Sequence, residues 1–174
     1  MIISNKNEKD IKYWDEVMYV QDNYYLLIKR PNSKTHSLLK SYIAYIIILS
    51  ILGIISIIVN EVFFILPLCL ILLIIYIYSL VETKYKIREY LKQDIVITKI
   101  DDTGVEISEK GKMAMKLYWD NIEYIIINKY TISFLPKSFA HFIITINSKY
   151  KEKVYEILKK YHKLDILKDN SSKY

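Results

Sequence analysis

The sequence predicts an α+β membrane protein in which a two-helix transmembrane hairpin is followed by a small antiparallel β roll and a C-terminal helix. Three observations predict it: two consecutive uncharged runs, a series of short β-rich runs separated by turn residues, and a final segment with helical periodicity. The chain has 174 residues, of which 52% are hydrophobic and 25% are charged. The apolar residues must therefore be concentrated in part of the chain.

The predicted hairpin occupies residues 41–81. Residues 41–60 and 62–81 contain no Asp, Glu, Lys or Arg, and about 20 helical residues cross the hydrocarbon core of a bilayer. Asn60 and Glu61 mark the turn between the two spans. A buried helical hairpin of a soluble protein is the alternative, but uncharged runs of this length favour membrane spans.

Basic residues lie outside both ends of the hairpin, and its turn has none. By the positive-inside tendency, both termini are cytoplasmic and the protein lies in the inner membrane of a bacterium. Residues 1–40 then form an N-terminal cytoplasmic segment. The flanking cations are Lys29, Arg30, Lys34 and Lys40 before the first span and Lys84, Lys86, Arg88 and Lys92 after the second.

The inside of the hairpin lacks the residues that transport usually requires. Proton relays and ion pathways are marked by charged groups within the membrane, so we do not expect a transporter or channel formed by one copy. Ser50 and Gly53 are small residues one helical turn apart on the first span. They favour close packing of the two helices, and a homodimer through the hairpin is the alternative.

The second span is predicted to continue as an amphipathic juxtamembrane helix over residues 82–94, where charged and apolar residues alternate. Its cations Lys84, Lys86 and Arg88 are candidate contacts for anionic lipid. They also serve as ordinary determinants of topology, which is the simpler interpretation.

Beyond residue 94 the chain consists of short β-rich runs, and in two of them, 105–107 and 113–119, apolar residues recur at every second position, which is typical of strands. Turn residues at 101–104, 109–112 and 128–129 separate the β-rich runs. We assign Trp119, Ile122 and Phe134 to the core. The predicted strands lie within residues 95–100, 105–107, 113–119, 122–127, 130–135 and 142–146.

A helical period returns after Asn147 and Ser148. Apolar residues then recur along one face, at Tyr150, Val154, Ile157, Leu158 and Tyr161, and predict an amphipathic helix that covers a sheet.

Six strands followed by one helix is the order of elements in a pleckstrin-homology-like (PH-like) roll, here over residues 95–167. The tail 168–174 is predicted to be frayed. Residues 17–20 are predicted to add a strand, and residues 21–29 a short helix.

Several motifs in this order resemble the YcxB-like family of bacterial membrane proteins. They are residues 102–105 (DTGV), 117–122 (LYWDNI) and 130–138 (YTISFLPKS), with Asp-Asn-Tyr at 22–24. The resemblance covers most of residues 95–163 and the hairpin before them. It implies a cytoplasmic PH-like domain tethered to the inner membrane, and it implies no catalytic residue. The chain departs from the family in having a strand-like segment at 141–146.

The sequence contains no recognisable catalytic, cofactor or metal motif. His36, His141 and His162 are scattered, Cys69 is the single cysteine, and a Walker loop, a dinucleotide-binding glycine pattern and a nucleophile-elbow serine are missing. Asp101 precedes Asp102-Thr103-Gly104, so both carboxylates are predicted to be turn residues. We therefore expect no enzyme and no cofactor.

The net charge of +6 does not predict a nucleic-acid partner, because the excess cations lie beside the membrane and along the last helix. Lys110, Lys112 and Lys116 form a basic hairpin, and these residues are further candidates for contact with lipid. Ordinary solvated lysines are the alternative.

These observations predict a non-enzymatic inner-membrane protein whose cytoplasmic domain mediates interaction with a protein partner or with the membrane surface. Membrane lipids and an unidentified protein are the expected partners. The alternative is an immunity protein that protects its host against a membrane-active bacteriocin.

Overall fold

The computed structural model of this protein describes residues 2–5, 10–59, 65–92, 96–109, 114–138 and 142–173. The predicted turn at Asn60 and Glu61 and the residue His141 lie outside this part of the chain. So do Lys110 and Lys112 of the predicted basic hairpin.

The N-terminal segment contains strand β1 (Ile2–Asn5) and helices α1 (Ile11–Asp22) and α2 (Tyr24–Lys29). The predicted strand at 17–20 is therefore wrong, whereas most of the helix predicted at 21–29 is present as α2. Asp10 starts α1, because its carboxylate accepts a hydrogen bond from the backbone N–H of Lys12 at 2.9 Å. The four residues 17–20 form one short apolar run, and such a run fits a buried helix as well as a strand.

The two long helices are α3 (Leu38–Ile58) and α4 (Ile65–Lys92). Both are long and apolar enough to cross a membrane. The side chain of Ser37 caps α3 by accepting a hydrogen bond from the backbone N–H of Lys40 at 3.1 Å. Helix α4 continues to Lys92, so residues 82–92 extend the second apolar helix as predicted, and residues 93 and 94 lie outside the described part of the chain.

Small residues let α3 and α4 pack closely. Gly53 and Ser56 are buried on α3, as is Cys69 on α4. A methyl group added at Gly53 would lie 3.8 Å from Cδ1 of Leu66, an ordinary van der Waals distance. Gly53 therefore serves packing within the hairpin, as preferred from the sequence, whereas Ser50 is exposed.

Replacing Gly53 by leucine is expected to lower the stability of the hairpin by about 1–3 kcal/mol, because a branched side chain overfills this contact. Gly53→Ala is the matched control and is expected to melt like the wild type. Thermal melting of the detergent-solubilised protein, followed by circular dichroism, measures both. Equal melting temperatures for the two variants would contradict the packing described here.

The rest of the described chain forms seven strands and one α-helix. They are β2 (Val96–Ile100), β3 (Gly104–Glu109), β4 (Met115–Tyr118), β5 (Ile122–Ile127), β6 (Thr131–Pro136), β7 (Ile144–Asn147), α5 (Lys151–Lys160) and β8 (Leu167–Asp169). Together with β1 the strands form two four-stranded sheets, the first with the order β1-β2-β3-β4 and the second with the order β7-β6-β5-β8. Neighbouring strands are antiparallel except β5 and β8, which are parallel.

Two details of the strands differ from the sequence expectation. The backbone N–H of Asn128 donates to the carbonyl of Thr131 at 2.8 Å, so the two-residue turn is formed by Lys129 and Tyr130, one residue later than predicted. The predicted frayed tail is also wrong, because it contributes to β8 and because Asn170 is fully buried. Together with β1, these elements extend the β domain beyond the predicted limits 95–167.

The main core lies between the two sheets and α5. It confirms that Trp119, Ile122 and Phe134 are buried. Side chains from the first sheet, the second sheet and the helix meet there, among them Ile100, Val105, Leu117, Ile125, Ile132, Phe134, Val154 and Leu158.

The second sheet is covered on both faces. Ile125 and Ile127 face the main core, whereas Ile126 packs with Val20 and Leu27 of the N-terminal helices. This explains the uninterrupted isoleucines of β5, since a strand buried on both faces does not alternate.

The turn before β3 confirms Asp101 as a turn residue. Its carboxylate accepts hydrogen bonds from the backbone N–H groups of Thr103 and Gly104, at 2.9 and 3.1 Å. Gly104 has φ of 156°, and a Cβ there would meet the carbonyl oxygen of Leu117. Only glycine fits this position without strain.

Candidate functional site

The α1–α3 cleft is a cavity of about 480 Å³ where α1, the first turn of α3 and the β5–β6 turn meet. Three segments that are distant in sequence contribute to it. Its lining residues are Lys12, Asp15, Glu16, Thr35, His36, Ser37, Lys40, Lys129 and Tyr130.

Glu16 forms the inner wall of the cleft. Its Oε1 accepts a hydrogen bond from the Thr35 hydroxyl at 3.0 Å, and its Oε2 accepts from the backbone N–H of Tyr130 at 2.8 Å and from the Thr131 hydroxyl at 2.9 Å. Burial raises the pKa of Glu16, and these hydrogen bonds oppose the rise. The carboxyl group therefore ties the segment before α3 to the β5–β6 turn.

Asp15 is also buried, and it contacts the wall of the cleft that is formed by the first turn of α3. Its Oδ1 accepts a hydrogen bond from the backbone N–H of Leu39, in the first turn of α3, at 3.1 Å. A carboxylate at this position satisfies a free backbone donor and favours the positive end of the helix dipole. Asp15 and Glu16 thus use their oxygens to assemble the cleft.

The cations of the cleft point to an acidic ligand. The Nζ atoms of Lys12 and Lys129 lie 5.8 and 5.7 Å from the centre of the Tyr130 ring, within range of a cation–π contact. Lys40 and His36 line the same cavity. Because both carboxylates already accept hydrogen bonds from the walls, the ammonium groups are the groups best placed to bind a carboxylate or phosphate.

The structure distributes the lipid-contact candidates of the sequence over two elements. Lys84 and Arg88 are exposed on α4, whereas Lys86 forms an ion pair with Glu82 at 2.8 Å. Lys116 lies on β4, where its Nζ is 3.6 Å from the Asp101 carboxylate. That ion pair leaves Lys116 less available to a lipid than the sequence suggested.

Sequence reasoning missed the cleft. Lys40 flanks the first predicted span and His36 is one of three scattered histidines, but no sequence pattern relates either residue to Lys12 or Lys129. They meet because α1 packs across the second sheet, which a local pattern does not reveal.

The described part of the chain holds no group of three or more His, Cys, Asp or Glu residues that could bind a metal ion. No family model, curated protein or solved structure matches this chain.

Proposed function

We propose that this chain is a non-enzymatic inner-membrane protein that binds an acidic group of a partner protein in the α1–α3 cleft, at the cytoplasmic surface of the membrane. The observation that carries the proposal is the gathering of three lysines and a histidine around a cavity beside the start of a long apolar helix.

Membrane insertion is supported by the exposure of α3 and α4. Only 6% of the most apolar window of each helix is buried inside the fold, so an apolar medium must cover the rest. Tyrosines lie near the level where both helices become polar: Tyr45 stacks on Tyr76 with ring centres 4.8 Å apart. Such amphipathic rings favour the membrane–water boundary.

The PH-like and YcxB-like assignments are part of this proposal. They are supported by two sheets that enclose one core, by α5 packed against that core after the last antiparallel strand, and by the order of motifs along the chain. Tyr24, in the Asp-Asn-Tyr motif, donates its hydroxyl to the Pro136 carbonyl at 2.6 Å. Two segments that carry the resemblance are thereby joined.

The proposal places both termini in the cytoplasm. We expect reporters fused after Tyr174 and before Met1 to give cytoplasmic signals, because the cations flank the outer ends of the hairpin. An alkaline phosphatase and green fluorescent protein pair measures this. Phosphatase activity at either end would contradict the topology.

Charge reversal in the cleft is expected to release the partner. Lys12→Glu with Lys129→Glu should reduce the amount of co-purified partner about tenfold or more, because charge-assisted hydrogen bonds are lost and repulsion is added. Lys153→Glu with Lys159→Glu makes the same charge change on the exposed face of α5 and serves as the control.

The measurement is mild-detergent affinity purification of the tagged, chromosomally encoded protein in all three forms. A protein present in comparable amount with the wild type and the control, and missing with the cleft variant, supports the proposal. Equal recovery with all three forms would rule out the cleft as its binding site.

A further inference from the structure

The level at which the hairpin would leave the membrane can be read from α3 and α4. Apolar residues end at Tyr42 on α3 and before Glu82 on α4, and Thr83 lies against the Tyr42 hydroxyl. Both helices therefore become polar at the same level.

Helix α1 runs toward this level, so that its C-terminal end is the end nearer to the membrane boundary. Trp14, in its first half, stacks on Tyr90 with ring centres 4.8 Å apart. Asp22, at its C-terminal end, is within electrostatic range of Lys86 and Glu82. The end of α1 and the start of α2 thus lie beside the membrane boundary.

Strand β6 of the second sheet also runs toward this level. Glu16 contacts the β5–β6 turn, whereas Tyr24 contacts Pro136 at the opposite end of β6. A strand rises about 3.3 Å per residue, so the turn and the Pro136 end are roughly 17 Å apart along β6, and the Pro136 end is the one on the side of the boundary. The connection from β6 to β7 emerges at that near end, because Phe134 pairs with Ile144.

We name four of the exposed residues at this near end the rim: Tyr25, Leu26, Lys137 and Phe142. Tyr25 is 75% exposed, Leu26 42% and Phe142 45%, and Lys137 is exposed as well. Tyr25 and Leu26 belong to the first turn of α2, whose Tyr24 and Leu27 are buried on the sheet.

We propose that the rim inserts into the headgroup layer of the same membrane that α3 and α4 cross, with the three apolar side chains at the acyl boundary and Lys137 on lipid phosphate. The inference rests on the membrane insertion proposed above. The rim is continuous with the boundary level of the hairpin, and aromatic, aliphatic and basic residues together are typical of interfacial contacts. The domain would then be fixed against the bilayer at a second place.

Site-specific fluorescence in nanodiscs tests this. The full chain with Cys69→Ala carries one new cysteine at a time, labelled with an environment-sensitive fluorophore, in discs of phosphatidylcholine and phosphatidylglycerol. Tyr25→Cys and Phe142→Cys probe the rim. Lys149→Cys is the control, at an exposed position two residues after Asn147, which pairs with Thr131 at the far end of β6, and Ile47→Cys reports insertion of α3.

We expect lipids carrying a nitroxide near the headgroup end of the acyl chain to lower fluorescence at positions 25, 142 and 47 to below about half, with little effect at position 149. Quenching at 47 with positions 25 and 142 behaving like 149 would overturn the proposed contact of the rim and leave membrane insertion intact. Absence of quenching at 47 would overturn both.

Discussion

Replacing Glu16 by alanine is expected to lower the free energy of unfolding by about 2–4 kcal/mol, because three hydrogen-bond donors lose their acceptor inside the fold. One of these donors, the backbone N–H of Tyr130, cannot turn toward another partner as a hydroxyl can. The loss would separate the segment before α3 from the β5–β6 turn and open the α1–α3 cleft. Urea unfolding in mild detergent, followed by the combined fluorescence of Trp14 and the buried Trp119, measures the change.

Glu16→Gln is the matched variant. A glutamine oxygen in place of Oε2 can accept from Tyr130 and Thr131, and its amide can donate to the hydroxyl of Thr35. We therefore expect a loss of only about 1 kcal/mol. Equal losses for Gln and Ala would show that the volume of the side chain, and not its hydrogen bonds, stabilises this wall.

The stability of the wild type should also depend on pH through Glu16. Burial raises its folded-state pKa above the ordinary value of 4.5, so the folded protein binds this proton more tightly than the unfolded chain does. The contribution of Glu16 is then most favourable below pH 4.5 and falls as the pH rises through the folded-state pKa. Glu16→Gln should lack this part of the pH dependence of unfolding.

The sequence alone predicts an element correctly where a local pattern of apolar residues determines that element. The uncharged runs predicted α3 and α4, and the β-rich runs after residue 94 predicted β2 to β7 in order, with β5 at its observed bounds. These patterns succeed because each element must bury one face or be apolar throughout, whatever lies next to it.

Long-range contacts determined what the sequence did not reveal. Residues 17–20 are helical because Val17 and Val20 lie on the side of α1 that packs inward, and β8 forms because β5 offers it a free edge. The cleft shows the same limit, since its walls come from positions 12–16, 35–40 and 129–130. The polar residues that line the cleft do not recur at a regular spacing in the sequence, so only the packing of the folded chain brings them together.

Removing residues 167–174 is expected to lower the free energy of unfolding by about 3–5 kcal/mol, because β8 and the hydrogen bonds of Asn170 are lost together. The Asn170 amide donates to the Pro31 carbonyl at 2.9 Å, and its backbone N–H donates to the Ile127 carbonyl at 2.8 Å. Truncation thus leaves β5 as an unpaired edge and frees the segment that leads into α3. A chain lacking only residues 172–174 is the control and should change by less than about 0.5 kcal/mol.

Acid should weaken the attachment of residues 167–174 to β5. Burial opposes ionisation of Asp169, but hydrogen bonds from Lys151, Ser171 and Tyr155 outweigh it and lower its pKa from 3.8 to about 2. The contribution of Asp169 is therefore complete above pH 3.8 and is lost as the pH falls through about 2. Protection of the backbone amides of β5 against hydrogen exchange, relative to the intrinsic rate at each pH, should fall in that window in the wild type and be low at neutral pH in the chain lacking 167–174. Slow exchange in the truncated chain would show that the helices α1 and α2 protect β5 without β8.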